Sequence, residues 1–399
     1  MLHTFLSTYS RNQIRILQHI RQRVRITRSD LVEVSGFKLL TVTKTVARFL
    51  EDGLIVEAGH EDSTGGRKAT LLSINPHFRY TLAVDMGASG ARIGVVGMDG
   101  SVIEDRFIKK EYRMPARHLS VEELRDILTE LTEKYGQEKI LGLGIGISGS
   151  VRHSVGRIVF CPNLYGWNEV DVQKEFGDPL GIPVLVDTVA RCMALAELTL
   201  GAGQGVDNQV TVSIGTSVSS GIIMDGRIYR GADEAAGEIG HTTVRENGGR
   251  CTCGNIGCLE NYVNQHCITR TVSKKLREFQ GYSPLRALVP EGELPAPEQI
   301  CQAAEQGDPL VLEVLADCAD TVGTAISYLA NIVNPQVIIL GGRAIEHYPM
   351  LVDEVKRVVK RRSAMVTQRN LSIRASLLRE QSTLIGSALQ VIDTLFDEP

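Results

Sequence analysis

Three cysteines and one histidine stand close together in a glycine-rich segment of this sequence. His241, Cys251, Cys253 and Cys258 form the pattern H-x9-C-x-C-x4-C. Imidazole nitrogen and thiolate sulfur are the usual ligands of structural zinc, which is bound by four protein atoms in a tetrahedron. Since four protein ligands leave no position for water, the pattern predicts a structural Zn²⁺ and not a Lewis-acid catalyst.

The alternative is that these three cysteines are unrelated thiols of a hydrophobic core. Long cytosolic chains rarely contain disulfides. The description therefore suits the remaining five cysteines, which stand in apolar sequence: Cys161, Cys192, Cys267, Cys301 and Cys318. It does not suit the segment from His241 to Cys258, which is polar and contains four glycines. Zinc is therefore the favoured interpretation.

Composition indicates a globular protein with a large core. The chain has 399 residues, of which 43% are hydrophobic and 23% are charged, so we expect two or three domains. No run of residues approaches the ~18 to 20 apolar residues of a membrane helix. The first residues also lack the apolar stretch and cleavage site of a secretory signal. We expect a cytoplasmic protein with no membrane partner.

Charge divides the chain into two parts. Residues 1–78 contain 11 Lys and Arg against 7 Asp and Glu, a net charge of +4. The remaining residues contain 32 against 40, a net charge of −8. The two parts are therefore expected to meet different partners.

The basic part, 1–78, has the pattern of a winged helix-turn-helix domain. RNQIRILQHIRQRV and LLTVTKTVARFLEDG place apolar residues at helical spacing, and between them a short helix begins at a capping box, Thr27–Asp30, and ends at Gly36. Two strand-like segments follow, LIVEAG and ATLLSIN, joined by a polar loop that contains Gly65-Gly66. The pattern predicts a DNA-binding domain, and docking to another protein is the alternative.

The third helix and the loop between the strands supply the predicted DNA contacts. A helix fits the major groove of DNA, where side chains reach the base edges and cationic side chains neutralise phosphates. The predicted contact residues are Lys38, Leu40, Thr41, Thr43, Lys44, Arg48, Arg67 and Lys68. Leu40 stands in the first turn, where a polar residue is usual, and we expect it to contact a thymine methyl group.

The acidic part contains one strand–turn–strand pattern twice. YTLAVDMGASGARIGVVGMDG and NQVTVSIGTSVSSGIIMDG both carry a turn of small residues between two apolar strands. Such turns can present backbone N–H groups to a phosphate. The repetition predicts two α/β lobes of related design, 79–199 and 200–379, with a C-terminal helix in 380–399 completing the first lobe.

Four segments of the acidic part match a known pattern. RGADEAAGEIGHTTV followed by CTCGNIGCLE is the most specific of them, and CPNLYGW and NIVNPQVIILGG accompany it. Together they resemble the ROK family (repressors, open reading frames, kinases), which includes bacterial sugar kinases and sugar-responsive repressors. The resemblance covers nearly the whole chain. It implies an α/β fold with an actin-like (ribonuclease-H-like), ATPase-type body of two lobes around a cleft.

The resemblance also implies a sugar-binding site. In the family, the glutamates of GEIGH and GCLE bind sugar hydroxyls and the zinc histidine can join them, which here gives Glu238, Glu260 and His241, with Gly149 on the glycine-rich strand segment. A carboxylate suits neighbouring hydroxyls because it offers two acceptor oxygens. The alternative is that Glu238 and Glu260 only support the zinc segment.

The sequence departs from the family kinases at the catalytic base. Aligning ALAE on residues 194–197 places Thr188 and Val189 where the kinases have Asn and Asp. Valine cannot take a proton from a sugar hydroxyl, a step worth about 10² to 10⁴ in rate. The phosphate turns also lose glycines, at Asp85–Ser89 and Gly215–Ser217, which hinders close approach of a phosphate. No catalytic residue is therefore predicted.

These observations favour a regulator over an enzyme. The predicted function is a DNA-binding transcriptional regulator of carbohydrate-related genes, a repressor in the simplest case, which binds a double-stranded operator and senses a sugar. Because such proteins bind two half-sites, a homodimer or a dimer of dimers is expected. The alternatives are an active ATP-dependent sugar kinase with an added DNA-binding domain, and a regulator that has lost its sugar.

Overall fold

The computed structural model describes residues 6–60, 68–109, 119–290 and 292–396. Contacts between residues in space divide the chain into two compact units. The first comprises Met1–Thr188 with Thr383–Pro399, and the second comprises Val189–Ser382. The domain limits predicted at 78/79 and 199/200 stay predictions. In the described residues, no helix is both long enough and apolar enough to span a membrane.

The strands and helices are numbered along the chain. The strands are β1 (Ile26–Thr27), β2 (Ile55–His60), β3 (Thr70–Ile74), β4 (Tyr80–Gly87), β5 (Gly90–Gly97), β6 (Val102–Lys109), β7 (Ile140–Ile147), β8 (Ser150–Arg152), β9 (Arg157–Phe160), β10 (Val170–Asp171), β11 (Val184–Thr188), β12 (Gln209–Ile214), β13 (Val218–Met224), β14 (Arg227–Tyr229), β15 (Val337–Gly341) and β16 (Ser372–Ala375). The helices are α1 (Arg11–Arg23), α2 (Arg28–Ser35), α3 (Leu39–Glu51), α4 (Val121–Tyr135), α5 (Asp178–Leu180), α6 (Val189–Leu200), α7 (Glu260–Val263), α8 (Gln265–Glu278), α9 (Leu285–Leu288), α10 (Pro297–Glu305), α11 (Pro309–Val333), α12 (Arg343–His347), α13 (Met350–Arg362), α14 (Met365–Gln368) and α15 (Ser382–Asp393).

The basic N-terminal segment folds as the sequence predicts. Helices α1, α2 and α3 are followed by the strands β2 and β3, which form a small antiparallel sheet with β1. The Thr27 side chain accepts a hydrogen bond from the backbone of Asp30, which confirms the capping box, and Gly36 ends α2 at φ 69°. These signals are local, so the sequence could specify them.

The two units contain sheets of the same design. The first unit has the strand order β11-β7-β4-β5-β6, and the second has β14-β13-β12-β15-β16. In both, three antiparallel strands that are consecutive in sequence are joined by two parallel strands that come later. The α/β character and the repeated lobe design predicted from the sequence are confirmed.

The C-terminal helix α15 packs tightly on the first sheet. Leu384 and Ala388 are buried with Ala83 and Val96 of that sheet. The approach is close enough that a Cβ atom on Gly144 would lie 1.7 Å from the carbonyl oxygen of Ser387. Glycine is therefore the residue that allows α15 to reach β7.

The end of α15 also contacts the DNA-binding segment. Arg21 of α1 forms an ion pair with Asp393, and its guanidinium carbon lies 4.9 Å from the ring centre of Phe396. The side chain of Gln18 donates a 3.1 Å hydrogen bond to the Phe396 carbonyl oxygen. The same helix therefore contacts the first sheet and α1.

The packing of α15 predicts the effect of adding one methyl group at position 144. Gly144→Ala should lower the unfolding free energy by about 3 kcal/mol, because the new Cβ and the Ser387 carbonyl cannot occupy the same space. Urea unfolding followed by circular dichroism measures the change. The matched control is Gly87→Ala, whose Cβ would meet its nearest neighbour at 3.8 Å. Equal midpoints for both variants would contradict the packing described.

Candidate functional site

The predicted metal ligands come together in the second unit. One ligand atom each from His241, Cys251, Cys253 and Cys258 lies within 4.8 Å of all the others. The His241 Nδ1 atom is 3.7 Å from the Cys251 Sγ atom, and the sulfurs of Cys253 and Cys258 are also 3.7 Å apart. Two sulfurs bound tetrahedrally at about 2.3 Å from zinc are separated by about 3.8 Å. The cluster therefore has the dimensions to hold a metal ion.

A pair of tight turns forms the cluster. The Cys251 N–H donates to the Asn255 carbonyl at 2.8 Å, and the Gly254 N–H donates back to the Cys251 carbonyl at 3.0 Å. Gly257 has φ 71°, and a Cβ there would lie 1.8 Å from the carbonyl oxygen of Arg245. Only glycine fits this position, which directs Cys258 back toward the other ligands.

The thiols of the cluster have unlike environments. A hydrogen bond from the backbone of Asn255 lowers the pKa of Cys253, which is exposed. Burial, together with the neighbouring thiols, raises the pKa of Cys258 to about 12. A bound cation would reverse this second effect, because a coordinating thiol loses its proton to the metal.

His241 connects the cluster to a carboxylate. Its Nδ1 atom faces Cys251, and its Nε2 atom lies 3.8 Å from a carboxylate oxygen of Glu238. Metal-bound histidines commonly direct their second nitrogen toward a carboxylate, which fixes the orientation of the ring. The Glu238 side chain is 45% exposed, so its carboxylate is accessible to a ligand.

Glu260 completes the predicted ligand-binding set in the same unit. One of its carboxylate oxygens accepts a 2.9 Å hydrogen bond from the Val218 N–H at the start of β13. Burial raises the pKa of Glu260, while the nearby His241 lowers it and Glu238 raises it. The structure thus brings Glu238, His241 and Glu260 together, although whether they bind a ligand stays a prediction.

Two glycines place Glu238 and His241 against β13. A Cβ on Gly237 would lie 1.9 Å from the carbonyl of Ser220, and one on Gly240 would lie 2.0 Å from the carbonyl of Val218. The Ser220 N–H and hydroxyl both donate to the Gly237 carbonyl, at 2.7 and 2.9 Å. The segment between the glycines is therefore fixed along the strand.

Gly149 belongs to the first unit, where packing accounts for its lack of a side chain. A Cβ at this position would meet the Cys161 sulfur at 2.4 Å and the Phe160 carbonyl at 2.5 Å. This contact explains the glycine without a ligand. Its predicted role in ligand binding is a separate matter and stays a prediction.

Asp187 is a buried carboxylate next to the two positions, Thr188 and Val189, where the sequence predicts that the kinase residues are replaced. Val189 begins α6, and Thr188 is the last residue of β11. The neighbouring carboxylate, Asp187, has a side chain that is 2% exposed. One of its oxygens accepts a hydrogen bond from the Thr188 N–H at 2.8 Å, and the other lies 3.8 Å from His153 Nδ1. Its burial disfavours contact between Asp187 and a sugar hydroxyl, and the absence of a catalytic base stays a prediction.

The predicted DNA contacts on α3 are exposed, and one of them also has partners inside the domain. Lys38, Thr41, Thr43 and Lys44 are exposed, and so is Leu40, which is 66% accessible. Lys38 occupies the cap position of α3 without a side-chain capping hydrogen bond. In the loop, Lys68 is exposed, while Arg67 lies outside the described residues.

Arg48 makes contacts that sequence reasoning did not anticipate. Its guanidinium donates a 3.0 Å hydrogen bond to the Thr8 carbonyl and lies 3.6 Å from Asp52. It also lies over the ring of Tyr9, 4.8 Å from the ring centre. Arg48 of α3 therefore contacts the residues that precede α1. Its predicted contact with DNA stays a prediction.

Sequence reasoning also missed two residues that support the site. The buried Arg191 donates hydrogen bonds to the carbonyls of Glu234 and Ala236, just before Glu238. The side chain of Asn255 donates to the His241 carbonyl at 3.1 Å. The sequence did contain a signal for each residue. Arg191 is a charged residue in the otherwise apolar first turns of α6, and Asn255 stands between two of the clustered cysteines.

A comparison with protein families finds a match to a model of the ROK family over residues 81–394. Among curated relatives, the xylose repressor of Caldicellulosiruptor bescii is 28% identical, and the alignment covers 100% of this chain and 98% of the repressor. The DNA-binding transcriptional dual regulator NagC of Escherichia coli is also 28% identical, over 95% of this chain and 91% of NagC.

Solved structures include both regulators and kinases. A ROK family transcriptional regulator, a homologue of the Escherichia coli Mlc protein, has a TM-score of 0.76 at 27% identity and covers 96% of both chains. A ROK family glucokinase from Streptomyces griseus, solved with glucose and AMPPNP, has a TM-score of 0.68 at 25% identity. That alignment covers 98% of the glucokinase but 78% of this chain. The fold is shared with both groups, and the regulator matches a larger part of the chain.

Proposed function

Because the chain belongs to the ROK family, we propose that it is a DNA-binding transcriptional regulator of carbohydrate-related genes, acting as a repressor. The observation that carries this proposal is similarity over nearly the full length to proteins named xylose repressor and NagC. The xylose repressor alignment spans the whole chain and so includes the N-terminal helices, whereas the glucokinase leaves 22% of the chain unmatched, since it covers 78%.

The proposed DNA-binding surface is the exposed face of α3 together with Lys68, which precedes β3. Lys44 and Lys68 neutralise phosphates, and Thr41 and Thr43 reach base edges in the major groove. Two such surfaces in a homodimer would read the two halves of an operator, and the protein would act in the cytoplasm, where that DNA lies. Arg48 supports the surface from within the domain through Thr8 and Asp52.

The proposed effector is a sugar held by Glu238, His241 and Glu260. Carboxylate oxygens accept hydrogen bonds from neighbouring hydroxyls, and the half-exposed Glu238 is accessible to them. Binding without phosphorylation is supported by Val189 at the position of the base and by the buried Asp187. The sugar would act by binding one state of the regulator better than another.

The proposed metal is one structural Zn²⁺ per chain, held by His241, Cys251, Cys253 and Cys258. The 3.7 Å spacings and the three sulfur donors suit zinc, and the set of four is complete without water. Its role is to hold the segment 241–258 closed, so that His241 keeps its second nitrogen toward Glu238.

The DNA-binding surface predicts a difference between two lysines. Lys44→Ala should weaken binding to an operator fragment, selected from genomic DNA with the full chain, by more than about 1 kcal/mol. Lys139→Ala, an exposed lysine of the body, removes the same charge and should leave affinity unchanged. Fluorescence anisotropy titrations measure both. An equal loss of operator affinity in the two variants would indicate that α3 is not the DNA-binding helix.

The metal proposal predicts zinc in protein purified without added metal. Elemental analysis should find about one zinc per chain. Cys251→Ser and Cys258→Ser should lower both the zinc content and the midpoint of thermal unfolding, because metal binding and folding of the segment are linked. Cys301→Ser, which changes a thiol outside the cluster, is the control. Wild-type protein without zinc, or cluster variants with unchanged zinc, would refute the assignment.

The missing base predicts that the protein does not phosphorylate sugars. A coupled assay with ATP and a panel of hexoses and pentoses should give no turnover near the rates typical of enzymes, about 1 to 10³ per second. Val189→Asp alone should not create a good kinase, since Thr188 still occupies the position of the kinase asparagine. Turnover by the wild type that Glu260→Ala abolishes would restore the kinase alternative.

A further inference from the structure

A cationic cavity lies along α8, apart from the residues assigned to the metal and the sugar. It has a volume of about 560 Å³ and is lined by Arg270, Thr271, Lys274, Arg277, Glu278 and Leu294. The three cations recur at helical spacing, so they share one face of α8. A local excess of positive charge is unexpected here, because the chain beyond residue 78 carries a net charge of −8.

Two of the three cations of this cavity are available to a ligand, whereas the Arg277 guanidinium donates hydrogen bonds to Ser273 of the same helix. Within the part of the chain that the structure describes, Arg270 and Lys274 are exposed and form no ion pair. The next residue, Lys275, differs in this respect, since its ammonium lies 2.6 Å from the carboxylate of Glu313 on α11. That pair holds α8 to its neighbour, whereas Arg270 and Lys274 contribute nothing comparable to the packing.

We infer that this cavity binds a small phosphorylated molecule, a sugar phosphate in particular. Three cations against the one carboxylate of Glu278 leave two positive charges, which balance the charge of a phosphate monoester, about −1.5 to −2 at neutral pH. The volume falls in the range of small-molecule pockets, roughly 300 to 1,000 Å³. Arginine provides paired N–H donors that match phosphate oxygens.

The remaining lining residues favour a small ligand over nucleic acid. Leu294 is 60% exposed and, with the methylene stems of the cations, provides an apolar wall for the carbon atoms of a sugar. Glu278 follows Lys274 by one helical turn and interrupts the line of positive charge. A continuous nucleic acid backbone would meet that carboxylate, whereas a single phosphate can bind beside Arg270 and Lys274.

This site is independent of the proposed sugar site, because it shares no residue with Glu238, His241 and Glu260. If the proposed function holds, the two sites would let one chain respond to a free sugar and to its phosphorylated form. Binding at the cavity can be measured without any operator, so its failure leaves the proposed function untouched.

Isothermal titration calorimetry of the full-length protein tests the inference with glucose 6-phosphate, inorganic phosphate and glucose as probes. Glucose 6-phosphate should bind saturably, and the double variant Arg270→Gln/Lys274→Gln should weaken it by about tenfold or more. Lys275→Gln, which removes a neighbouring charge outside the cavity, should change the affinity by less than about twofold. Glu278→Gln should strengthen binding, because it removes the one opposing charge.

The relative affinities of the probes and the variants distinguish the possible ligands of the cavity. Binding of glucose 6-phosphate more tightly than inorganic phosphate supports a sugar phosphate, and equal binding of both probes supports a site for the phosphate anion alone. Unchanged affinity in the double variant, or no saturable binding by the wild type, would overturn the proposal. Loss of glucose 6-phosphate binding in Glu260→Gln would also overturn it, by assigning the ligand to the proposed sugar site. Weaker operator binding in the double variant, with no phosphate binding in the wild type, would assign the cavity to DNA.

Discussion

The closure of the segment 238–260 on itself is the constraint on which the candidate site depends. Its ends carry Glu238 and Glu260, and both are fixed at β13, one beside Gly237 and the other by the Val218 N–H. Between them, four ligand atoms lie within 4.8 Å of one another, a separation that carries electrostatic repulsion for thiolates unless a cation is present. A metal ion would therefore stabilise the arrangement of the glutamates without contacting either of them.

A second constraint operates in the first unit, where α15 contacts both the sheet and the DNA-binding segment. Because Gly144 has no side chain, α15 can pack closely against β7. Arg21 of α1 forms an ion pair with Asp393 at the end of α15. An ion pair, one hydrogen bond and the contact of Arg21 with the Phe396 ring form a modest link between α1 and the end of α15. Coupling between two binding sites is typically about 1 to 3 kcal/mol, so a link of this size would be adequate for the proposed regulation.

The sequence predicted those features that depend on local patterns. The capping box at Thr27, the left-handed Gly36 and the repeated strand–turn–strand design follow from spacing and glycine positions, and the structure confirms them. The cluster of candidate metal ligands was predicted for the same reason, because the histidine, the cysteines and the glycines stand in one short segment. The contacts of Arg48 with Thr8 and Tyr9 could not be predicted, since they join residues about forty positions apart. The hydrogen bonds of Arg191 to the backbone before Glu238 likewise require the tertiary fold.

In the proposed function, a sugar controls DNA binding without being phosphorylated. The most direct measurement is the affinity of the full-length protein for its selected operator fragment, by fluorescence anisotropy, across a panel of sugars in the absence of ATP. We expect one sugar to lower the affinity by about tenfold, or about 1.4 kcal/mol, and Glu260→Gln to remove the response while operator affinity without sugar stays the same. A response that requires ATP and yields sugar phosphate, or no response to any sugar, would contradict it.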